Sequence, residues 1–260
     1  MIIDSHFHTV SMRRKGIEEL PADLIGIDVA TDAGDAENRL SILHQSPTIF
    51  FSIGSGPWVL DNDNYISPGN ERDKLLAEYE RFGADAIGEC GFDNHWGYGT
   101  KEKQRDLFMM QVELASSLDL PIIIHTRDAD KEITEALESS SFRCRGIMHC
   151  FSSDTALMYK ALDKGLYISF AGNVTYKGNA MIQEAAKAVP GDRILYETDA
   201  PYLAPIPMRG KPSRPDFTEY TLSFLADLRG EDREELKEQV KNNLFTLLQR
   251  DKTVRQLSIS

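Results

Sequence analysis

The segment Asp4-Ser5-His6-Phe7-His8 is the first place in the chain where residue types and spacing suggest chemistry. On extended backbone, side chains alternate between faces. His6 and His8 therefore point the same way, with Cα atoms roughly 6.5–7 Å apart. Two imidazoles so placed can converge on one cation. Alone, H-x-H is a weak signal, since a pair of surface histidines reads the same way. The stronger signal is where the other ligand-type residues fall. Glu89 lies in Gly88-Glu89-Cys90-Gly91, and His125 follows Pro121-Ile122-Ile123-Ile124. His149 follows Gly146-Ile147-Met148, and Asp199 follows Leu195-Tyr196-Glu197-Thr198. Each closes a short apolar run. Imidazole and carboxylate together suit Zn²⁺, Mn²⁺ or Fe²⁺ better than Ca²⁺. A carboxylate between two ligand sets can bridge two cations roughly 3.5–4 Å apart, and Glu89 holds the central position.

The elements that must position these residues follow from the hydrophobic pattern. Apolar runs occur at Ile2–Ile3, Leu24–Ala30, Thr48–Ile53, Ala84–Gly88, Ile122–His125, Gly146–Cys150, Leu166–Phe170 and Ile194–Glu197. They are too short for helices and match strands buried on both faces. Between them the pattern predicts helices over Glu71–Phe82, Lys101–Leu118, Asp128–Glu138, Asp154–Lys164 and Asn179–Ala188. Two more, Asp216–Leu228 and Asp232–Gln249, follow the last run. Strand then helix, about eight times, predicts a (β/α)8 TIM barrel, with a doubly wound open sheet as the alternative. In such a barrel the strands' C-terminal ends share one face, so the six ligand candidates would meet there. No linker, repeat or low-complexity tract divides the chain, and residues 1–260 read as a single domain. The stretch Pro201–Pro215 reads as a loop.

Composition narrows the function. With 260 residues, 41% of them hydrophobic, the chain can bury a sizeable core. A net charge of −12 argues against a general nucleic-acid coat protein. Within that acidic chain, Arg127 follows His125 by two. Arg209, Lys211 and Arg214 follow Asp199, and Arg13, Arg14 and Lys15 follow His8. Cations grouped after strands one, five and eight suit a phosphate-bearing substrate. Asp61 and Asp63, in another loop of that face, weaken the contrast. Cys90, Cys144 and Cys150 form no C-x-x-C pair, and Cys150 reads as a small buried residue. Free thiols, a polar N-terminal segment and the lack of a long apolar run predict a cytoplasmic protein off the membrane, expected to act as a monomer. His44 reads as solvated in a polar helix, and His95 as a loop residue or substrate contact. Gly54-Ser55-Gly56-Pro57-Trp58 is not a dinucleotide fingerprint, since it lacks the third glycine and Pro57 interrupts the turn.

These motifs resemble, nearly end to end, those of the TatD family of metal-dependent deoxyribonucleases within the amidohydrolase-like barrels. Asp4-Ser5-His6-Phe7-His8 is similar to the family's D-x-H-x-H, and Gly88 to Asp93 to its G-E-x-G-L-D. His125-Thr126-Arg127-Asp128-Ala129 resembles H-x-R-D-A, and His149-Cys150-Phe151-Ser152 resembles H-C-F-S. Gln104 to Pro121 is similar to its Q-x-x-x-F helix and the L-x-L-P that leads into the next strand. Glu197 to Leu203 reads E-T-D-A-P-Y-L, followed by Pro207-Met208-Arg209-Gly210-Lys211, and Asn243 and Phe245 resemble the family's C-terminal region. The resemblance implies that His6, His8, Glu89 and Asp199 hold one divalent metal, and Glu89, His125 and His149 another. It implies Zn, Mn or Mg as the ion. It also implies that Asp199 deprotonates the attacking water and that the reaction is phosphodiester hydrolysis, often 3′–5′ trimming of DNA.

Two departures fall in substrate-facing loops. The family's G-x-H-P is here Gly54-Ser55-Gly56-Pro57-Trp58, without the histidine. The asparagine usual after R-G-K is absent from Pro212-Ser213-Arg214-Pro215. Trp58, together with Trp96 and Tyr98, is expected to replace the histidine as an aromatic platform on which a base can stack, the alternative being that Trp58 packs under its own loop. The expected function is a deoxyribonuclease using a metal-activated water, with Asp199 and Glu89 catalytic. Arg127, Arg209, Lys211 and Trp58 would contact DNA or another phosphodiester. The alternatives are an amidohydrolase acting on a small C–N or ester substrate, and a non-catalytic barrel scaffold.

Overall fold

Residues 1–43 and 48–249 are described by the computed structural model, so His44 lies outside the described residues. Eight strands pair in chain order and in parallel: β1 (Ile2–Phe7), β2 (Leu24–Asp28), β3 (Ile49–Ile53), β4 (Ala86–Asp93), β5 (Ile122–Arg127), β6 (Gly146–Met148), β7 (Leu166–Phe170) and β8 (Ile194–Tyr196). Most are buried along their whole length, which is why they read as continuous apolar runs rather than alternating ones. The sheet curls until β8 returns to β1. There Phe7 bridges Ala200, the Asp199 amide donates to the His6 carbonyl (3.0 Å), and the His8 amide donates to the Ala200 carbonyl (2.9 Å). This is a (β/α)8 barrel rather than an open sheet.

Helices α1 (Thr9–Arg14), α2 (Ala36–Leu43), α3 (Pro68–Phe82), α4 (Lys101–Leu118), α5 (Asp130–Glu138), α6 (Thr155–Asp163), α7 (Ala180–Ala188), α8 (Thr218–Arg229) and α9 (Arg233–Leu247) lie between and after the strands. Side-chain caps start several of them. Ser67 accepts from the Asn70 amide ahead of α3, Asp154 from the Leu157 amide ahead of α6, and Asp232 from two amides ahead of α9. Helix α1 has no counterpart among the helices expected from sequence, and α2 answers only to the polar helix expected around His44, whose bounds the sequence pattern does not fix. Both are short, and α2 buries only Ala36, Arg39 and Leu43, too few for an apolar stripe.

One strand boundary matters for the site. The apolar run that predicts β4 stops at Gly88, which would leave Glu89 at a strand end. Instead β4 continues to Asp93, and Glu89 lies inside it. Its ladder with β5 shifts register between Ile87 and Cys90 and resumes as Gly91↔His125 and Asp93↔Arg127. Gly91, at φ +150°, lets the two backbones close up: a Cβ there would lie 2.0 Å from the His125 carbonyl oxygen. Among the described residues, no helix is long and apolar enough to cross a membrane.

Candidate metal centre

The barrel brings all six candidate ligands together at the C-terminal mouth. Glu89 is the hub, and its two oxygens face different imidazoles. Oε1 lies 2.7 Å from His125 Nδ1 and 2.9 Å from His149 Nε2. Oε2 lies 3.5 Å from the Nε2 atoms of both His6 and His8. Asp199 Oδ1 closes the second side, 3.3 Å from His8 Nε2 and 3.8 Å from His6 Nε2. The His6 and His149 rings stack at 3.9 Å and join the two sides. Three sets of ligand atoms are close enough to hold an ion: His6, His8 and Glu89; Glu89, His125 and His149; and His6, His149 and Asp199.

The donor set fits a cation, because the imidazoles are held with lone pairs inward. His8 Nδ1 lies 2.9 Å from the Val29 carbonyl oxygen, which can only accept, so that nitrogen carries the proton. His149 Nδ1 lies 3.1 Å from Glu197 Oε1, and His125 Nε2 lies 3.2 Å from Asp93 Oδ2. With the outer nitrogens of His8, His125 and His149 donating, their inner ones are left as acceptors, His125 and His149 facing each other at 3.3 Å and His8 facing His6 Nε2 at 3.1 Å. Such a nest of lone pairs around a buried carboxylate needs a positive charge. Without a metal, protons would supply it. Burial pushes the His8 imidazole down, but its bond to Asp199 and the charge of Glu89 outweigh that and hold it at about 9. Burial likewise lowers His149 and His125, and the carboxylates Glu89, Glu197 and Asp93 reverse it, taking His149 well up. His6 goes the other way: burial and the neighbouring His149 lower it, and Glu89 offsets only part. Burial raises the Glu89 carboxyl, yet the surrounding histidines take it well below the usual range.

Glu197 and Asp93 were not among the site residues expected from sequence. Both orient a candidate ligand from behind, as carboxylates commonly do for metal-binding histidines. A signal was present: Glu197 and Asp199 stand two apart, as do His6 and His8, and residues two apart share a face on extended backbone. A second supporting layer lies under β1–β3. Arg39 is 1% exposed, and its guanidinium donates to Asp28 Oδ2 (3.0 Å), Asp35 Oδ1 (2.6 Å) and the Ser52 carbonyl (2.5 Å). Asp28 Oδ1 in turn accepts from the Thr9 amide, next to His8, and Ser52 Oγ donates to the Gly88 carbonyl, next to Glu89. Backbone strain gathers at this mouth too: Asp128, Cys150, Asp199 and Leu203 all have φ between +44° and +54°.

The residues expected to touch substrate fall differently. Among the described residues, no carboxylate lies within ion-pair distance of Arg127, Arg209 or Lys211. Arg214 is already engaged by Asp216 at 2.8 Å. Arg209 lies over the Tyr176 ring (4.4 Å), and Arg127 over Trp96 (5.6 Å). His95 is exposed and pairs with Asp128. Cys150 is half-buried rather than buried: it lies two residues past the end of β6, where its amide donates to Glu197 Oε1 (2.8 Å). Trp58 fills the space above Gly56, where a Cβ would come within 2.1–2.4 Å of the indole carbons. A histidine at position 56 and this placement of Trp58 exclude each other, which accounts for the departure from G-x-H-P. The Trp58 ring meets His125 edge-on at 5.7 Å, and its N–H donates to the Thr31 carbonyl (2.8 Å).

An eight-stranded barrel with this imidazole–carboxylate cluster at its mouth has the architecture of a metal-dependent hydrolase. Residues 3–249 match the family described as TatD related DNase. The chain is 34% identical to the uncharacterized metal-dependent hydrolase YcfH of Escherichia coli K12, covering 96% of each. It is 32% identical to the uncharacterized metal-dependent hydrolase YabD of Bacillus subtilis, covering 91% of this chain and 94% of that one. The crystal structure of YjjV, a TatD homolog from Escherichia coli, superposes with a TM-score of 0.81 at 24% identity, over 96% of this chain and 98% of that one. The chain belongs to the TatD-related family and is a metal-dependent hydrolase.

Proposed function

We propose that this hydrolase cleaves phosphodiester bonds and acts as a deoxyribonuclease with 3′–5′ exonuclease character, a single-domain monomer of the cytoplasm. The observation that carries the reading is the charge around the cluster. In a chain of net charge −12, Arg127 at the end of β5, and Arg209 and Lys211 in the segment after β8, have no carboxylate within ion-pair distance among the described residues. Free guanidinium and ammonium groups beside a hydrolytic centre match the charge on phosphoryl oxygens, whereas a neutral amide would leave them without a role.

His6, His8, Glu89 and Asp199 would hold one divalent ion, and Glu89, His125 and His149 the other, with Zn, Mn or Mg as the candidates. When bound, the metal would lower the pKa of water toward about 7 and offset charge on the phosphoryl oxygens. Asp199 is the candidate general base. Its carboxylate keeps 14% exposure while Glu89 is sealed, so it can meet an incoming water and accept its proton. Arg127, Arg209 and Lys211 would hold the phosphate, and Trp58 would line the path beside His125.

The test is end-labelled single-stranded DNA with Mg²⁺ or Mn²⁺, incubated with wild type, Arg209→Ala and Glu89→Ala. Progressive shortening from the 3′ end by wild type, slowed in Arg209→Ala and absent in Glu89→Ala, is the expected pattern. DNA left intact with every metal, beside rapid cleavage of an amide or neutral ester, would overturn the reading in favour of a small-molecule amidohydrolase.

A further inference from the structure

Two tryptophans stand near the mouth in opposite circumstances. Trp58 has its N–H committed to Thr31, its ring lying over Gly56, and an edge against His125. It is a wall. Trp96 is 63% exposed, an unusual state for the largest side chain in a folded chain. Its backbone is nevertheless fixed. The Trp96 amide donates to Asp93 Oδ1 (2.9 Å), and Asp93 Oδ2 contacts the candidate ligand His125. The Asn94 amide donates to the Arg127 carbonyl (2.9 Å), and Asp93 sits opposite Arg127 in the β4–β5 ladder. The Arg127 guanidinium lies 5.6 Å from the Trp96 ring centroid, and the His95 ring meets that indole edge-on at 5.1 Å. An open aromatic plane is thus anchored near the cluster, beside a cation that among the described residues has no carboxylate within ion-pair distance.

We propose that Trp96 and Arg127 form a nucleotide subsite: the open indole face stacks on one unpaired base, and Arg127 takes the adjoining phosphate. The assignment rests on the phosphodiester reading above and sharpens it to a strand with a free base face. In a duplex both faces of a base are covered by its neighbours, so the subsite selects a single-stranded or frayed end. Stacking of this kind tolerates any base, because each has a π face, and the nearby cation adds attraction for the phosphate without reading sequence. The subsite therefore selects nucleotide chemistry and strandedness, not sequence.

The test compares an oligothymidylate with an abasic oligomer of equal length and charge, binding read by fluorescence anisotropy at fixed salt. Oligouridylate distinguishes RNA from DNA as the strand taken. Wild type should prefer the base-bearing strand by about tenfold, equivalent to ~1.4 kcal/mol. Trp96→Ala should erase that preference, and Trp96→Phe should keep most of it. Arg127→Ala should weaken both oligomers alike and flatten the salt dependence. Unchanged thermal melting of Trp96→Ala would rule out a folding defect. Equal binding of both oligomers by wild type, or a preference that survives in Trp96→Ala, would overturn the subsite. The cleavage assay reads the other reading separately. If the DNA stays intact but the Trp96-dependent preference is present, hydrolysis of DNA falls and the subsite stands. If DNA is trimmed but Trp96 makes no difference, the subsite falls and hydrolysis stands. If wild type binds neither oligomer, both fall.

Discussion

The two halves of the cluster are backed by different materials. On the β4–β6 side, His125 and His149 each contact a carboxylate from behind, Asp93 and Glu197. On the β1–β8 side, His8 is held by a neutral carbonyl, and His6 Nδ1 is buried with no hydrogen-bond partner among the described residues. An anionic partner makes an imidazole a more basic ligand, while a carbonyl only orients it. The remaining ligand of the β1–β8 half, Asp199, sits on a left-handed residue at φ +54° and is the more exposed of the two carboxylates. The two halves divide the labour. The carboxylate-backed half is built to keep an ion, and the other half to work next to solvent, where water and substrate arrive.

The largest expected effect comes from the one residue the halves share. Glu89→Ala should lose both ions and lower activity by roughly 10³-fold or more, since a metal contributes several kcal/mol of transition-state stabilisation. Metal analysis after dialysis checks it, and retention of two ions would break the scheme at its hub. Next is Asp199→Asn, which touches only the β1–β8 half. An amide oxygen can still face a cation but cannot take a proton. Turnover should fall about 10²–10⁴-fold, the range for a lost general base, with metal content largely kept. Near-native rates in metal-replete buffer would remove Asp199 from that role.

Glu197→Gln keeps an oxygen for the His149 N–H but removes its charge. The ion on the β4–β6 side should bind about 10–100-fold more weakly, with the other unaffected. Two-site calorimetric titration reads both constants, and equal weakening of the two would mean that the halves are not separately backed. The smallest effect is on melting temperature. His8, His125 and His149 have folded-state pKa values above the unfolded value near 6.5. Their contribution to stability is complete below about 6.5 and disappears as pH rises through the folded values, about 9 for His8. His6, lowered by burial, contributes in the opposite sense and cancels part of this. The metal-free chain should therefore melt a few degrees lower at pH 8 than at pH 6.5. The rise in melting temperature on adding metal should be larger at pH 8, because a cation then displaces fewer protons. A metal-induced rise that shrinks with pH would contradict the inward lone pairs.

The ligands were legible in the sequence because barrel strands are buried on both faces. A polar residue closing such a run is conspicuous, as His125 is after three isoleucines. What lies behind the ligands was less legible. Glu197 and Asp93 look like any acid near a strand end until the fold sets an imidazole in front of them. Arg39 sits in a polar stretch, where an arginine is ordinarily solvated, and only the fold sets Asp28 of β2 and Ser52 of β3 where they can bond it inward. The residue type marks Glu89 as a ligand, but the apolar pattern puts it at a strand end. The apolar pattern breaks at Gly88, while the backbone pairing that carries β4 on to Asp93 depends on Gly91 and leaves no hydropathy signal. The Trp58 loop departs visibly from G-x-H-P in the sequence. That the indole fills the space over Gly56 is a three-dimensional fact, which spacing alone could not express.

The seam where β1 meets β8 has a consequence in time. A polypeptide is made in one direction, and Glu89, His125 and His149 all emerge before Asp199. A nascent chain can thus bring Glu89, His125 and His149 together while the eighth strand is still unmade, although the Glu197 carboxylate behind His149 arrives only after that strand. His6 and His8, although synthesised first, must wait for Tyr196 to Ala200 before their side of the cluster is complete. Joining residues so distant in the chain closes a loop of most of its length, at an entropic cost that rises only slowly with length. A cation gripped from both sides of that seam would then fasten the newest strand to the oldest and act as a clasp on the finished barrel.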